Sequence, residues 1–291
     1  MSRSEGTLYV LCDIEGASGI SPANREAMKH GSEAWRSQGR PLITSDVVAV
    51  CEAAREFGAE QIVLNDGHDG GRPTPNVLPD RLPSSVRLLR RPHLTGKAPR
   101  VVGKHALGMI IVGQHAMADG GGFAPHTIAW PFAEVAINGL KVGEIGLELA
   151  LFMGTPLLAI VGEQAAVDEA QALCPTCIGV PVKSLEAQWF PSPDETRPII
   201  RERTLEALRR RGEMTGLHLD PPFRFTLRPH ETLRFDRDRK VFLRSLSRHL
   251  FFRRCKGTMN ENHASWETQT VVGGLYILQM MRAFMTKRSP E

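Results

Sequence analysis

Short, nearly continuous apolar runs alternate with amphipathic stretches through the first 165 residues of the chain. "TLYVLCDIEG" (7–16), "EQIVLNDGH" (60–68), "LGMIIVGQH" (107–115) and "TPLLAIVGE" (155–163) read as buried strands, and "SSVRLLRR" (84–91) as a further strand. "SDVVAVCEAAREFGA" (45–59) carries apolar residues at helical spacing, with Ser45 or Asp46 available as its N-cap. "VGEIGLELALFMG" (142–154) predicts a helix ending near Gly154, and "QAAVDEAQALC" (164–174) another. Between them, "EVAINGLKVG" (134–143) predicts a hairpin turning at Asn138-Gly139. Strand, helix and strand in this rhythm specify an α/β fold, a mostly parallel sheet covered by helices on both faces.

The rhythm changes after residue 185. "EAQWFPSPDETRP" (186–198) is rich in proline and turn formers and reads as a linker or lid. Beyond it come an arginine-rich helix at about 197–212, a β-like segment "PFRFTLRPHETLRF" (222–235), and a final helix within "TQTVVGGLYILQMMRAFM" (268–285). The expected organisation is an α/β domain over 1–185 that carries the chemistry, and a smaller C-terminal α+β domain or extension over 186–291.

Composition narrows the class. A hydrophobic fraction of 42% with 23% charged residues is that of an ordinary globular protein and argues against disorder. No apolar run approaches the roughly 20 residues of a membrane helix. The start, "MSRSEGTLYV", lacks the apolar region of a signal peptide, which points to the cytoplasm. Five cysteines, an odd number, favour reduced thiols. Cys174 and Cys177 form a CPTC without a second pair at zinc-site spacing, so packing explains them better than metal or redox chemistry. The net charge of +4 is uneven, with an acidic front and a basic stretch over 197–256. No nucleic-acid module accompanies those arginines, and a solvated helix face, an oligomer contact or an anionic substrate accounts for them better than nucleic acid.

The polar residues that stand out lie at strand ends, where open α/β sheets bind their ligands. Asp13 and Glu15 follow the first strand, two positions apart and so able to address one cavity. No Lys or Arg lies between Thr7 and Asn24, although burying an anion costs several kcal/mol unless a positive partner meets it. His68 and His115 end two further strands at the same expected edge. Carboxylates mixed with imidazoles suit zinc, manganese or iron, and the lack of thiolate there argues for an open, catalytic type of site. Two other residues are ambiguous on the residues alone. His126 follows Gly120–Gly122, so a mobile loop could carry it over a substrate, or it is an ordinary loop residue. Glu144 opens a helix, where it could be a ligand or simply favour the helix dipole.

"CDIEGASG", "LNDGH", "VGQHA", "APHT" and "NGLKVGEIGL", in this order, resemble the DppA-type D-aminopeptidase family of zinc-dependent, M55-type peptidases. The motifs span about residues 8–165, and the likeness thins through "VPVK" into the C-terminal helix. The resemblance implies two Zn2+ ions per subunit, with Mn2+ or Fe2+ as other candidates. It also implies release of N-terminal D-residues from short peptides, and a ring of ten subunits. By position, Asp13 resembles the carboxylate bridging both metals, and Glu15, His68, His115 and Glu144 the remaining ligands. His126 resembles the catalytic histidine. Where the family shows a short Ser/Arg/Ser/Ala stretch, this chain reads "SLEAQWFPSPDET" with Trp189 and Phe190, so another small amide is an alternative substrate. A dinuclear phosphoesterase and a non-catalytic nucleic-acid-binding protein are the remaining, weaker alternatives. The expected partners are thus a small peptide or amide and further copies of the chain, without nucleic acid or membrane.

Overall fold

In the computed structural model, the described residues are 6–90, 106–128, 130–236, 252 and 254–287. Six parallel strands form the main sheet in the order β3-β2-β1-β4-β7-β8. They are β1 (Thr7–Cys12), β2 (Gln61–Asp66), β3 (Val86–Arg90), β4 (Ala106–Gln114), β7 (Leu157–Glu163) and β8 (Ile178–Lys183). Each predicted strand of the front half is present. Alternation along β1 explains why both sheet faces are covered. Leu8, Val10 and Cys12 enter one core with Ile43, Val47 and Leu208, while Tyr9 and Leu11 enter another with Leu149, Phe225 and Trp266.

The first core is roofed by α1 (Arg40–Phe57) and α4 (Pro193–Arg209), which pack on each other. α1 begins five residues before the expected cap at Ser45 or Asp46, carrying a proline in its first turn and following a π-helical turn at Trp35–Gly39. Asp46 caps nothing. It is fully buried, and its Oδ2 accepts the Ser18 amide at 2.8 Å. α4 also starts earlier than the arginine pattern suggests, because Ser192 and Glu195 form a capping box inside the segment expected to be a linker. Its arginines face partners: Arg197 pairs with Glu52, and Arg201 with Glu56. Residues 237–251 and 253 of the basic stretch lie outside the described residues.

The second core lies between the main sheet and an antiparallel sheet of order β11-β12-β9-β5-β6. β5 (Phe132–Ile137) and β6 (Leu140–Lys141) are the predicted hairpin, and Asn138 and Gly139 take the positive φ values, 52° and 83°, that its tight turn requires. β9 (Phe223–Pro229) pairs with β5 on one side and β12 (Ala264–Thr268) on the other, with β11 (Thr258–Met259) at the edge. β12 takes the start of the segment expected to be the final helix. That helix, α5 (Val271–Met281), begins after Thr268 has ended the strand, with Thr270 as its N-cap. β10 (Leu233–Phe235) and β13 (Met285–Lys287) form a separate pair. α2 (Glu144–Leu151) and α3 (Gln164–Leu173) complete the helices used below. Among the described residues, no helix is long and apolar enough to cross a membrane.

Strand register places the chemistry. Cys12 sits level with Asp66 of β2 and with Val112 of β4. The residues that follow these three positions therefore emerge together at the carboxyl edge of the sheet.

Candidate metal centre

Five residues from four connections converge at that edge. Asp13 and Glu15 leave β1, His68 follows β2, His115 follows β4, and Glu144 opens α2. Three overlapping groups each bring ligand atoms within 4.8 Å of one another: Asp13, Glu15 and His68; Asp13, His115 and Glu144; Glu15, His115 and His126. Asp13 belongs to two of them through different oxygens. Its Oδ1 lies 3.0 Å from His68 Nδ1, and its Oδ2 lies 3.9 Å from His115 Nε2. Glu15 Oε1 is 3.1 Å from the same His68 nitrogen, and Glu144 Oε1 is 3.7 Å from His115 Nε2.

Hydrogen bonds to carbonyls orient two of the imidazoles. His115 Nδ1 lies 2.9 Å from the Ala116 oxygen, and His126 Nδ1 lies 3.0 Å from the Ala124 oxygen. A carbonyl accepts only, so each Nδ1 carries a proton and each Nε2 is left facing the cluster. The two rings stack with centroids 3.8 Å apart. The Nε2 atom of buried His115 thus faces the carboxylates of Asp13 and Glu144. Among the described residues, His115 Nε2 and Glu15 Oε2 have no hydrogen-bond partner, although both residues are buried.

Such an arrangement calls for positive charge. Burial alone lowers the His115 pKa, but Glu144, Glu15 and Asp13 together raise it to about 9. His68 behaves alike: burial opposes its charge, yet Glu15 and the hydrogen bond with Asp13 lift it well above the usual imidazole value. Glu15 moves the opposite way. Burial pushes its carboxyl up, and the charge of His68 prevails and holds it well below the ordinary range. A field that draws protons onto imidazoles would equally hold a divalent cation, and the oxygen and nitrogen donors fit one.

Neighbouring polar residues fix this edge. Asn76 donates from its amide nitrogen to Asp66 Oδ1 at 2.6 Å and to the His68 carbonyl at 2.7 Å, while accepting from Trp35 Nε1 at 2.9 Å. Lys183, at the end of β8 and fully buried, donates to the Glu15 and Ile20 carbonyls at 2.7 and 2.8 Å. Burial depresses its pKa to about 7 against the pull of Glu163, Asp46 and Glu15.

Two buried glutamates hold the His126 loop. Glu163, at the end of β7, accepts the Ala116 amide at 2.9 Å and also the Phe123 amide. Glu169 of α3 accepts the amides of Met117 and Gly143 at 2.7 and 3.1 Å. A Cβ on Gly122, whose φ is +89°, would lie 2.7 Å from the Glu163 carboxylate. The loop therefore needs no swing to deliver His126. It is already tied down with the ring 3.8 Å from Glu144, measured from Nε2 to Oε1.

A cavity of about 410 Å³ opens over the cluster. Asp13, Glu15, His68, His126 and Glu144 contribute to its wall, as do Gln279 of α5 and Arg282 just beyond it. His115 lies beneath, buried. No described residue of 186–198 lines this cavity. Trp189 is instead half exposed and bridged to Ser184. The C-terminal helix lines it instead, and the one local signal for that is a lone arginine closing an apolar helix.

Comparison with known proteins agrees with this geometry. The family model of the M55 peptidases, described as D-aminopeptidase, matches residues 7–241, and the chain belongs to that family of hydrolases. A D-aminopeptidase of Bacillus subtilis (strain 168) is 25% identical over 222 residues, covering 75% of this chain and 78% of its own. The solved Zn-dependent D-aminopeptidase DppA from Bacillus subtilis, described as a self-compartmentalizing protease, shares the fold with a TM-score of 0.79. That match is 18% identical and covers 96% of this chain and 97% of the other.

Proposed function

We propose that the protein is a dinuclear zinc aminopeptidase that releases N-terminal D-residues from short peptides. One observation carries the reading: the carboxylate of Asp13 faces two donor groups at once, His68 through Oδ1 and His115 through Oδ2. Glu15 and His68 would complete one metal site, His115 and Glu144 the other. Zinc is favoured over manganese or iron because the solved relative is zinc-dependent. Bound there, the ions supply Lewis acidity toward an amide carbonyl and bring the pKa of a water toward neutrality.

The chain's own groups supply the rest. His126 presents Nε2 to the cavity with its proton held on Nδ1, so Nε2 can take a proton from the attacking water and return it to the leaving amine. A side chain in this role contributes about 10²–10⁴ in rate. Glu144, whose Oε1 accepts the Ile128 amide at 2.7 Å, holds the loop carrying His126 against the site. Asp69 lines the cavity outside the three ligand groups and is placed to attract the substrate's α-ammonium.

The self-compartmentalizing relative supports an assembly, proposed as a ring of ten. Trp130 and Tyr276, large side chains that are more than half exposed at 62% and 51%, are fitting contact residues.

Metal analysis alongside hydrolysis tests this reading. Two zinc ions per chain are expected, with D-alanine p-nitroanilide and D-Ala-D-Ala cleaved in preference to their L counterparts. Activity should vanish on chelation and return with zinc. Cleavage of a phosphate monoester in place of these amides, or one ion per chain at full activity, contradicts it. In gel filtration a species near 32.1 kDa contradicts the ring.

A further inference from the structure

We propose that Arg282 is the specificity-determining residue that binds the substrate's terminal carboxylate, restricting the enzyme to very short peptides. The inference rests on the aminopeptidase reading and names the substrate class of that site.

The cavity is strongly asymmetric in charge. Among its described lining residues, Asp13, Glu15, Asp69 and Glu144 are acidic, and Arg282 is the sole lysine or arginine. The carboxylates of the metal cluster have their positive partners in imidazoles and, when loaded, in metal. Arg282 has no ion pair within 4 Å among the described residues. A guanidinium with a free fork on the wall of a cavity is suited to a planar carboxylate, which it can grip through two parallel hydrogen bonds.

Its position is set by packing rather than by its own exposed side chain. Gly274 lets α5 lie so close to the antiparallel sheet that a Cβ there would sit 1.9 Å from Phe225 Cε2. Trp266 Nε1 donates to the Gly274 carbonyl at 3.2 Å. Leu275, Leu278 and Met281 are buried along the same helix. With the helix pinned by one face, the opposite face runs through exposed Tyr276 to Gln279 and Arg282 at the cavity. A basic residue at a helix C-terminus satisfies the dipole whichever way it points; this one points at the acidic site.

Size agrees with a small zwitterion. The cavity volume of about 410 Å³ lies toward the lower end of small-molecule sites, which span roughly 300–1,000 Å³. In a substrate with its scissile amide at the metal cluster and its carboxylate at Arg282, each added residue would carry that carboxylate away from the guanidinium.

The test compares D-Ala-D-Ala with its C-terminal amide, which keeps the scissile bond and removes the anion. Wild-type protein should prefer the free acid. In Arg282→Met the ratio of kcat/KM values, acid over amide, should fall by about 10–100-fold, the range for a hydrogen bond to a charged group. The change should appear chiefly in KM. Arg282→Lys should retain part of the preference, because it restores charge without the fork. Zinc content and circular dichroism of each variant report folding. Equal loss on both substrates, or no wild-type preference for the acid, overturns the proposal while leaving the aminopeptidase standing. Failure of the wild type to cleave either dipeptide overturns both.

Discussion

Lys183 donates a 2.7 Å hydrogen bond to the main-chain oxygen of Glu15, so the last residue of one edge strand holds the backbone of a candidate ligand in the loop that follows a central one. The same ammonium reaches the Ile20 carbonyl at 2.8 Å and bridges the loop that begins at Asp13. Lys183→Met keeps most of the buried stem and strands both carbonyls. An unpaired buried polar group costs about 1–3 kcal/mol, so with two carbonyls stranded denaturant titration should show a loss of about 2–6 kcal/mol. Zinc affinity should fall with it, since the Glu15 backbone is no longer braced. Unchanged stability and zinc content would show that the clamp is dispensable.

The anchoring of the His126 loop gives a different kind of prediction. Gly122→Ala places a methyl against the Glu163 carboxylate at a φ of +89°, where side chains are strained. Because Glu163 also holds the Ala116 and Phe123 amides, the loop should shift. We expect kcat to fall at least tenfold with most of the metal retained, since Glu144 and His115 touch that loop through Ile128 and Ala116 but are themselves carried by α2 and the end of β4. Full turnover in Gly122→Ala would mean that the loop tolerates displacement.

His126 stands both in a ligand-capable group with Glu15 and His115 and at the cavity wall. The two roles separate cleanly. As the proton carrier, His126→Ala loses about 10²–10⁴ in kcat while still holding two zinc ions per chain. Loss of one equivalent of zinc would make His126 a ligand instead. His68→Ala and His115→Ala should each lose metal and activity together.

The sequence exposes the front of this site because parallel strands are written as unbroken apolar runs, and a charge that ends such a run must emerge at the sheet's carboxyl edge. Asp13, Glu15, His68 and His115 are found by that rule. The rule also applies to Glu163, closing "LLAIVGE", and to Lys183, closing "IGVPVK". Their buried supporting roles depend on loops they meet only after folding, and nothing local marks those. Gln279 and Arg282 are harder still. The tertiary docking of α5, through Gly274 against Phe225, brings them to residues far earlier in the chain. The strand Ala264–Thr268 alternates buried and half-buried residues, as a half-covered strand should, but its five residues merge into the apolar helix behind it.

Asp46 gives the pH dependence. Buried completely, with Ser18 donating to it and Lys183 attracting its charged form, its carboxyl is nevertheless pushed up by burial to about 6 from 3.8. A raised folded-state pKa means that the native state binds the proton more tightly than the unfolded chain does. The associated stability is fully present below about pH 3.8 and is lost as pH rises through about 6. Asp46→Asn mimics the protonated acid, keeps an acceptor for the Ser18 amide and cannot titrate. The stability of Asp46→Asn minus that of wild type should therefore grow by about 2 kcal/mol between pH 4 and pH 7, most of the roughly two-unit shift falling within that window. Taking the difference cancels the titration of the other carboxylates and histidines shared by both proteins. A flat difference across that window would show that Asp46 is ionised in the folded protein, with Lys183 as its effective counter-charge.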